Sequence, residues 1–380
     1  MAGRRGNGEG SVFKRKDGRW AGQLDFGWIN GRRRRKLFYG QGRQQVQAKL
    51  TAAAHEWQRG KMPPVQSLTV EQFLAQWLER IDVAPLTRES YEEKTRLHII
   101  PAIGKIKLVE LTPRHVEDLL RAKEGALSPR SLFTIRAVLR TALSRAQRWG
   151  YVERNVAALA APPKVRPYEA SYLTVEQAKS FLAAARQDRL SAMYCIAMAL
   201  GLRQGELLGL RWEDVDLGTG MLNVRKALKS IRGQGLVLMD TKTPKSRRTL
   251  VLPEFVREEL RQHRARQIEE RLFVGSLWNA NDLVFCTTIG SPLDATNVLR
   301  RSFHAVCENA GITYSTKARK ALRFHDLRTS AATIMLALGV SDRVVMEMLG
   351  HTNLGTTAHY QHVPSTLLAE AAKAVDRAFA

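Results

Sequence analysis

Residues 201–207, Gly-Leu-Arg-Gln-Gly-Glu-Leu, join the longest apolar run of the chain to a short polar segment. That run, residues 192–202, is about half the length of a membrane span, and a helix is predicted to begin near Ser191. Arg203 is therefore expected near a turn or helix start. Glu206 follows three residues later, the spacing at which two side chains form an ion pair across one helical turn.

Three more clusters in the C-terminal half place cationic or proton-transfer groups near turns and helix starts. In chain order they are Thr241-Lys242-Thr243-Pro244-Lys245-Ser246-Arg247-Arg248, His325-Asp326-Leu327-Arg328, and Leu349-Gly350-His351 with Tyr360 nine residues on. Each has a structural explanation when taken alone. Lys242 can occupy an exposed hairpin tip, His325 can be a polar residue at a helix end, and Tyr360 can be an amphipathic aromatic.

The charge of the chain indicates a polyanionic partner. Its 380 residues include 60 Lys and Arg against 36 Asp and Glu, a formal net charge of +24. Residues 1–62 alone hold 15 basic and 4 acidic side chains. An excess of this size, concentrated in one segment, is typical of proteins that bind nucleic acid. The apolar fraction of 44% excludes general disorder, and three widely spaced cysteines exclude a disulfide framework.

The N-terminal segment has the pattern of a small sheet followed by a helix. Strand-like runs at residues 11–15, 20–26 and 32–39 are separated by turn signals, and a helix is predicted over roughly residues 44–58. A three-stranded sheet of this kind can lie in the major groove of DNA. The third run begins with an unbroken series of basic residues, for which phosphate contact is expected.

Residues 67–152 are predicted to form a four-helix bundle, with the second helix ending before Pro101. The expected helix starts are Thr69, Thr87, Thr112 and Ser128. Proline-rich residues 161–167 indicate an extended linker. Beyond it, helices alternate with strand-like runs at residues 221–224, 235–239 and 248–252.

Taken together and in this order, the clustered residues resemble the catalytic set of the tyrosine recombinases, the family of phage and transposon integrases. The resemblance is strongest over residues 172–363 and extends over residues 69–163. Residues 10–58 are similar to the arm-binding N-terminal domain of many integrases. One position departs from the pattern, since Thr329 follows Arg328 where relatives often carry His. That position is not catalytic in the family.

The resemblance implies a multidomain α+β protein. Residues 1–62 would be an arm-type DNA-binding domain made of a three-stranded sheet and a helix, and residues 67–152 a helical core-binding domain. Residues 153–171 would be a linker. Residues 172–380 would be a mainly helical catalytic domain with a small β-sheet and a C-terminal tail helix. The DNA-binding residues expected in the arm domain are Arg15, Arg19, Arg32, Arg33, Arg34, Arg35 and Lys36.

The resemblance also implies a reaction, in which Tyr360 attacks a DNA phosphodiester, forms a 3′-phosphotyrosine and frees a 5′-hydroxyl. A covalent intermediate of this kind conserves the energy of the ester bond. A free tyrosine has a pKa of about 10, so its proton must leave during the attack, and nearby cations favour that loss. The family role carried to His325 is assistance with this proton. Lys242 would protonate the leaving 5′-oxygen as a general acid.

Charge develops on the non-bridging oxygens of the phosphate in the transition state. Arg203 and Arg328 would bind these oxygens, because a guanidinium matches phosphate geometry and stays charged. His351 would donate a further hydrogen bond to the same phosphate. Glu206 is expected to orient Arg203 or a neighbouring catalytic group without touching DNA.

No metal and no other cofactor are expected, because the predicted site carries its own positive charge, the acidic residues form no two-metal motif, and no Gly-rich phosphate loop is present. The expected partners are double-stranded DNA with core and arm attachment sites, three further copies of the chain in a tetramer on DNA, and an excision factor or host DNA-bending protein. A membrane partner is not expected. The chain opens without a secretory signal, and a cytoplasmic location in a bacterial host is expected.

Two other functions remain open at this point. One is a DNA-binding regulator or architectural protein with a vestigial catalytic centre, against which all six catalytic residue types argue. The other is a type IB topoisomerase, against which a separate N-terminal DNA-binding domain argues. Covalent trapping on a DNA substrate distinguishes the enzyme from the regulator.

Overall fold

A computed structural model describes residues 10–29, 32–58, 68–165, 171–240, 247–314 and 321–350, with the side chains of 27–29, 32–34 and 56–58 left out. The chain divides into two compact units, Met1–Arg166 and Pro167–Ala380. The division into four functional segments made above stays a prediction. In the described part of the chain, no helix combines the length and the apolar character that a bilayer crossing requires.

The first unit begins with the predicted sheet and helix. Strands β1 (Ser11–Lys14), β2 (Trp20–Ile29) and β3 (Arg32–Gly40) are antiparallel in the order β1-β2-β3, and helix α1 (Arg43–Gln58) packs on one face. Leu24, Val46 and Leu50 are buried between sheet and helix. Gly22 permits this packing, since a Cβ there would lie 2.5 Å from Cδ1 of Leu50.

A helical bundle with its own core completes the first unit. Its helices are α2 (Val70–Arg80), α3 (Pro85–Lys94), α4 (Ile100–Ile103), α5 (Pro113–Arg121), α6 (Pro129–Arg148) and α7 (Val156–Leu159). Thr69, Thr112 and Ser128 are N-caps, as the sequence predicts. Trp77, Phe73, Ile135 and Leu139 are fully buried in this core.

One prediction for this region is wrong. Pro101 does not end the second helix, because a π-helical segment (Thr95–Ile99) precedes it and places Pro101 in the first turn of α4, where its missing N–H is tolerated. Residues 156–160, which the predicted division assigns to the linker, pack on the core of the bundle. Val156 and Ala157 are buried there, and buried Arg136 donates hydrogen bonds to the carbonyls of Ala158 and Ala160.

The second unit surrounds α9, whose ten residues (Ser191–Leu200) are almost all buried. The other helices are α8 (Val175–Ala185), α10 (Gln204–Leu208), α11 (Glu254–Val274), α12 (Ala295–Val298), α13 (His304–Asn309), α14 (Asp326–Ala337) and α15 (Asp342–Leu349). A π-helical segment, Leu299–Phe303, joins α12 to α13. The predicted α+β class is confirmed.

Among the described residues of the second unit, the strands form two small antiparallel sheets. β4 (Val215–Asp216), β5 (Met221–Val224) and β8 (Arg248–Val251) form one sheet, and β6 (Lys226–Ile231) and β7 (Gly235–Asp240) form a hairpin. The sequence pattern did not predict β6. The predicted tail helix after residue 365 lies outside the described residues.

Candidate active site

Arg203 is positioned by the way helix α9 ends. Gly201 caps that helix in the left-handed conformation, with φ 62° and ψ 32°. A Cβ on Gly201 would lie 2.4 Å from Cδ2 of Leu349, so two separate constraints require glycine here. The chain then turns through buried Leu202, and Arg203 becomes the N-cap of α10 with 39% of its side chain exposed. The turn therefore leads from the buried helix α9 to a guanidinium at the surface.

Glu206 is a buried carboxylate shared by two arginines. Its Oε1 accepts a hydrogen bond from Nη1 of Arg203 at 2.8 Å, and its Oε2 accepts one from the Arg203 backbone N–H at 3.0 Å. Nη2 of Arg248 donates to Oε2 at 2.9 Å. Burial raises the pKa of Glu206, but the hydrogen bonds and charges of Arg248 and Arg203 outweigh it, and its pKa lies below the ordinary value. Glu206 is thus a buried anion that binds the Arg203 side chain and backbone, and its supporting role in catalysis stays a prediction.

Arg328 lies inside the unit and connects the ends of two helices. Only 2% of the residue is exposed. Nη1 donates to the carbonyl of Gly201 at 2.7 Å, and Nη2 donates to the carbonyl of Leu349 at 2.5 Å. Both carbonyls lie at helix C-termini, where a cation is favoured by the helix dipole. Arg328 therefore holds the turn that carries Arg203 against the end of α15.

His325 is the N-cap residue of α14, three residues before Arg328, and it keeps exposed surface. Desolvation by the surrounding protein lowers its pKa below the ordinary value, and the charges of Arg328, Arg323 and Arg203 lower it further. The opposing charge of Asp326 is smaller than these effects together. The imidazole is thus held in its neutral form near pH 7, in which it can accept a proton. Its electrostatic environment includes both arginines of the predicted set.

The structure brings together Arg203, Glu206, His325 and Arg328. The other predicted residues, Lys242, His351 and Tyr360, lie outside the described residues.

Lys242 was expected at the tip of a hairpin. The two strands that flank residues 241–246 do not form one, because they do not pair with each other. β7, which ends at Asp240, pairs with β6, whereas β8, which begins at Arg248, pairs with β5. Residues 241–246 therefore connect two sheets. The hairpin of this region is formed by β6 and β7, in a register that pairs Lys226 with Asp240.

Sequence reasoning missed Arg248, which is part of the site. The residue belongs to a strand whose alternate position, Leu250, faces the core. Only 5% of its side chain is exposed, and its Nε donates to the carbonyl of Met348 at 2.6 Å. The available signal was the strand period, because residues two apart share a face and an arginine on a buried face requires fixed partners.

The described basic residues of the N-terminal sheet are accessible. Nε of Arg15 and Nε of Arg19 lie 3.7 and 3.8 Å from a carboxylate oxygen of Asp17, and all three side chains are at least 41% exposed. Nε of Arg35 donates to Asp25 at 3.2 Å. Pairs as exposed as these contribute little to stability, so an anionic ligand can compete for these guanidinium groups.

The basic run of β3 does not form a single face. Lys36 lies over the ring of Phe38, with Nζ 5.3 Å from the centroid, and Phe38 packs on the core between sheet and helix. Exposed Arg35 belongs to the opposite face, which also carries exposed Leu37 and Tyr39. Alternation along a strand separates neighbouring residues in this way. The side chains of Arg32, Arg33 and Arg34 lie outside the described residues.

Known protein families match most of this chain. A family model described as Phage integrase family matches residues 171–366, and one described as Phage integrase, N-terminal SAM-like domain, matches residues 69–123. An integrase of Streptomyces ambofaciens is 33% identical over 371 residues, which cover 94% of this chain and 92% of that protein.

Solved structures share the fold at low sequence identity. The Tn1549 transposon integrase in complex with a circular intermediate DNA superposes with a TM-score of 0.65 and 20% identity, over 81% of this chain and 100% of that one. A lambda integrase tetramer bound to a Holliday junction superposes with a TM-score of 0.56 and 18% identity, over 94% of this chain and 96% of that one.

Proposed function

The chain belongs to the phage integrase family of tyrosine recombinases, which are site-specific DNA recombinases, and from that premise we propose that Tyr360 is its nucleophile. The proposed catalytic set is Arg203, Lys242, His325, Arg328, His351 and Tyr360, with Glu206 in support. One observation carries the proposal: Arg328 donates a hydrogen bond to the carbonyl of Gly201, two residues before Arg203, and His325 is the N-cap of the helix that contains Arg328, so two guanidinium groups and an imidazole belong to one part of the fold.

In the proposed reaction the phenolic oxygen of Tyr360 attacks the scissile phosphorus. A bond forms between phosphorus and this oxygen, and the bond from phosphorus to the 5′-oxygen of the next nucleotide breaks. His325 assists the departure of the phenolic proton, and Lys242 supplies a proton to the leaving 5′-oxygen. The 5′-hydroxyl of a second strand reverses these steps and completes the exchange. Atoms and electrons balance without an external energy source, because one ester replaces another.

Arg203 and Arg328 have different tasks in this proposal. Arg203, with 39% of its side chain exposed, binds a non-bridging oxygen directly, and Glu206 keeps its guanidinium in place. Arg328 is buried and already bound to two backbone carbonyls, so it also fixes the turn that presents Arg203. In the proposal its positive charge stabilises the phosphate from the interior, where charge is screened less than at the surface. His351 completes the set as a hydrogen-bond donor.

The other parts of the proposal concern DNA and partners. Residues 1–62 bind arm sites through Arg15, Arg19, Arg35, Lys36 and the basic residues at 32–34, and residues 67–152 bind the core site. Four protomers assemble on two duplexes and integrate a mobile element such as a prophage, as the bound tetramer of the lambda integrase suggests by analogy. An excision factor or a DNA-bending protein sets the direction. The reaction takes place on DNA in the bacterial cytoplasm.

Covalent trapping tests the proposal. Sequencing recombination junctions in cells that carry the gene identifies the core site, and a nicked suicide duplex of that site is incubated with the full chain. The wild type is expected to form a protein–DNA adduct that survives denaturation, and Tyr360→Phe to form none while still binding the duplex. Absence of an adduct with the wild type, or an equal yield with Tyr360→Phe, would overturn the assignment.

A further inference from the structure

Two consecutive carbonyls at the end of α15 are each held by a buried guanidinium. Nε of Arg248 donates to the Met348 carbonyl at 2.6 Å, and Nη2 of Arg328 donates to the Leu349 carbonyl at 2.5 Å. Gly350 follows in the left-handed conformation, with φ 65°. The C-terminal end of α15 is therefore held by two side chains from elsewhere in the fold. In the sequence, His351 is the next residue.

The Arg248 guanidinium also reaches the other side of the site. Its Nη2 donates to Oε2 of Glu206, and the same carboxylate binds Arg203 through Oε1. Both members of the Glu206–Arg248 pair are at most 5% exposed. A planar guanidinium has its donors in a fixed fork, so bonds to a carboxylate and a carbonyl set the relative position of the two partners.

We infer that Arg248 is a positioning residue that sets Arg203 and the end of α15 in register for phosphate binding. The inference rests on the proposed function, because it assigns Arg248 an effect that passes through Arg203. Arg248 acts on Arg203 through Glu206, and it holds the C-terminal end of α15 through the Met348 carbonyl. The guanidinium that is proposed to bind the phosphate and the end of α15 are thus held by the same buried side chain.

The alternative is that Arg248 only stabilises the fold. Arg189 provides a matched control, since it has the same pattern of partners: its Nε donates to Glu270 and its Nη1 donates to the Cys286 carbonyl at 2.7 Å. It is also partly buried, with 28% of its side chain exposed. Arg189→Gln therefore removes a comparable bridge between a carboxylate and a carbonyl from the same unit.

The test measures the single-turnover rate of adduct formation on two suicide duplexes of the core site. One carries the normal scissile phosphate, and the other carries a methylphosphonate, which lacks one negative oxygen. Arg248→Gln is expected to slow adduct formation about 100-fold on the phosphate, the effect of misplacing a catalytic group by about 1 Å. On the methylphosphonate duplex, the ratio of the wild-type rate to the Arg248→Gln rate should be smaller by about 10-fold or more, because less negative charge develops there and has to be stabilised.

A purely structural role would reduce the rate by the same factor on both duplexes, because a loss of folded protein does not depend on the substrate. Equal factors on the two duplexes, or the same narrowing for Arg189→Gln, would overturn the inference. A wild-type rate for Arg248→Gln would do so as well. If that variant does not fold, Arg248→Lys carries the comparison, since it keeps the charge beside Glu206 and loses the fork. A wild type that forms no adduct would instead refute the proposed function.

Discussion

Replacing Gly201 with alanine should destabilise the catalytic unit by two separable amounts. A residue other than glycine in the left-handed conformation costs roughly 1–2 kcal/mol. The added Cβ would also lie 2.4 Å from Cδ2 of Leu349, a side chain that is fully buried. Forcing an extra carbon into a packed core costs about 1–3 kcal/mol. Leu349 cannot swing aside easily, because Arg328 holds its carbonyl and the Gly201 carbonyl together.

Gly311 separates the two amounts. It has φ 66°, close to that of Gly201, lies in the same unit, and has no atom within 4 Å of an ideal Cβ. Gly311→Ala therefore reports the conformational cost alone. Gly201→Ala should unfold at a temperature about 2–12 °C lower than Gly311→Ala, the shift expected for a further 1–3 kcal/mol in a unit of this size.

Calorimetry of the full chain measures the melting temperature of both variants. The melting transition of the second unit is identified as the one that disappears when a variant of that unit fails to fold. Leu349→Ala gives a second test. The double variant with Gly201→Ala should be more stable than the sum of the single effects, because the neighbour that clashes has been shortened. Equal melting temperatures for Gly201→Ala and Gly311→Ala, or strict additivity in the double variant, would show that the contact between Gly201 and Leu349 does not constrain the fold.

Three further predictions concern the chemistry of the site. Glu206→Gln should destabilise the unit by about 3 kcal/mol and slow adduct formation, since it leaves Arg248 buried without its anion. Urea unfolding measures the stability and the trapping assay measures the rate. Unchanged values would contradict a carboxylate shared by Arg203 and Arg248. The acid limb of the cleavage rate should lie below about pH 6.5, because the pKa of His325 is lowered and the neutral form is lost only as pH falls through that lowered value. A rate profile of His325→Gln that keeps the same limb would assign it to another group. Lys242→Ala should cleave slowly but recover on a duplex whose leaving 5′-oxygen is replaced by sulfur, which needs no general acid; failure to recover would contradict the acid role.

Local features of the fold followed from the sequence, because they depend on neighbours within one helical turn. Thr69, Thr112 and Ser128 were expected at helix starts, and each is the N-cap of a helix. The resemblance to tyrosine recombinases is likewise confirmed by the family matches. The prediction for Pro101 was wrong for a reason that is also local. A π-helical segment changes the hydrogen bonding just before Pro101, and no residue type predicts such a segment.

The sequence could not predict contacts that join distant segments. Arg328 was chosen for a phosphate, yet its described partners are carbonyls 127 and 21 residues away in the chain. The pairing of β7 with β6, and of β8 with β5, was also not predicted, because β6 was not recognised and a strand pair is set by the side chains of both strands. The partners of Arg328 and the pairing of these strands both depend on three-dimensional position, whereas the sequence pattern indicates only which residue types are present.

The positions of Arg203, Arg248 and Arg328 suggest why this site has three guanidinium groups although a phosphate has only two non-bridging oxygens. A cation that binds the phosphate must be presented at the surface, as Arg203 is, and a long side chain at the surface loses rotamer entropy when it is fixed. Glu206 reduces that loss before DNA arrives, but a buried carboxylate requires compensation, which Arg248 supplies. Arg248 and Arg328 then use their remaining donors on adjacent carbonyls of α15. One exposed cation is thus preorganised by an anion and two buried cations, and removing any of the three should reduce catalysis more than it reduces DNA binding.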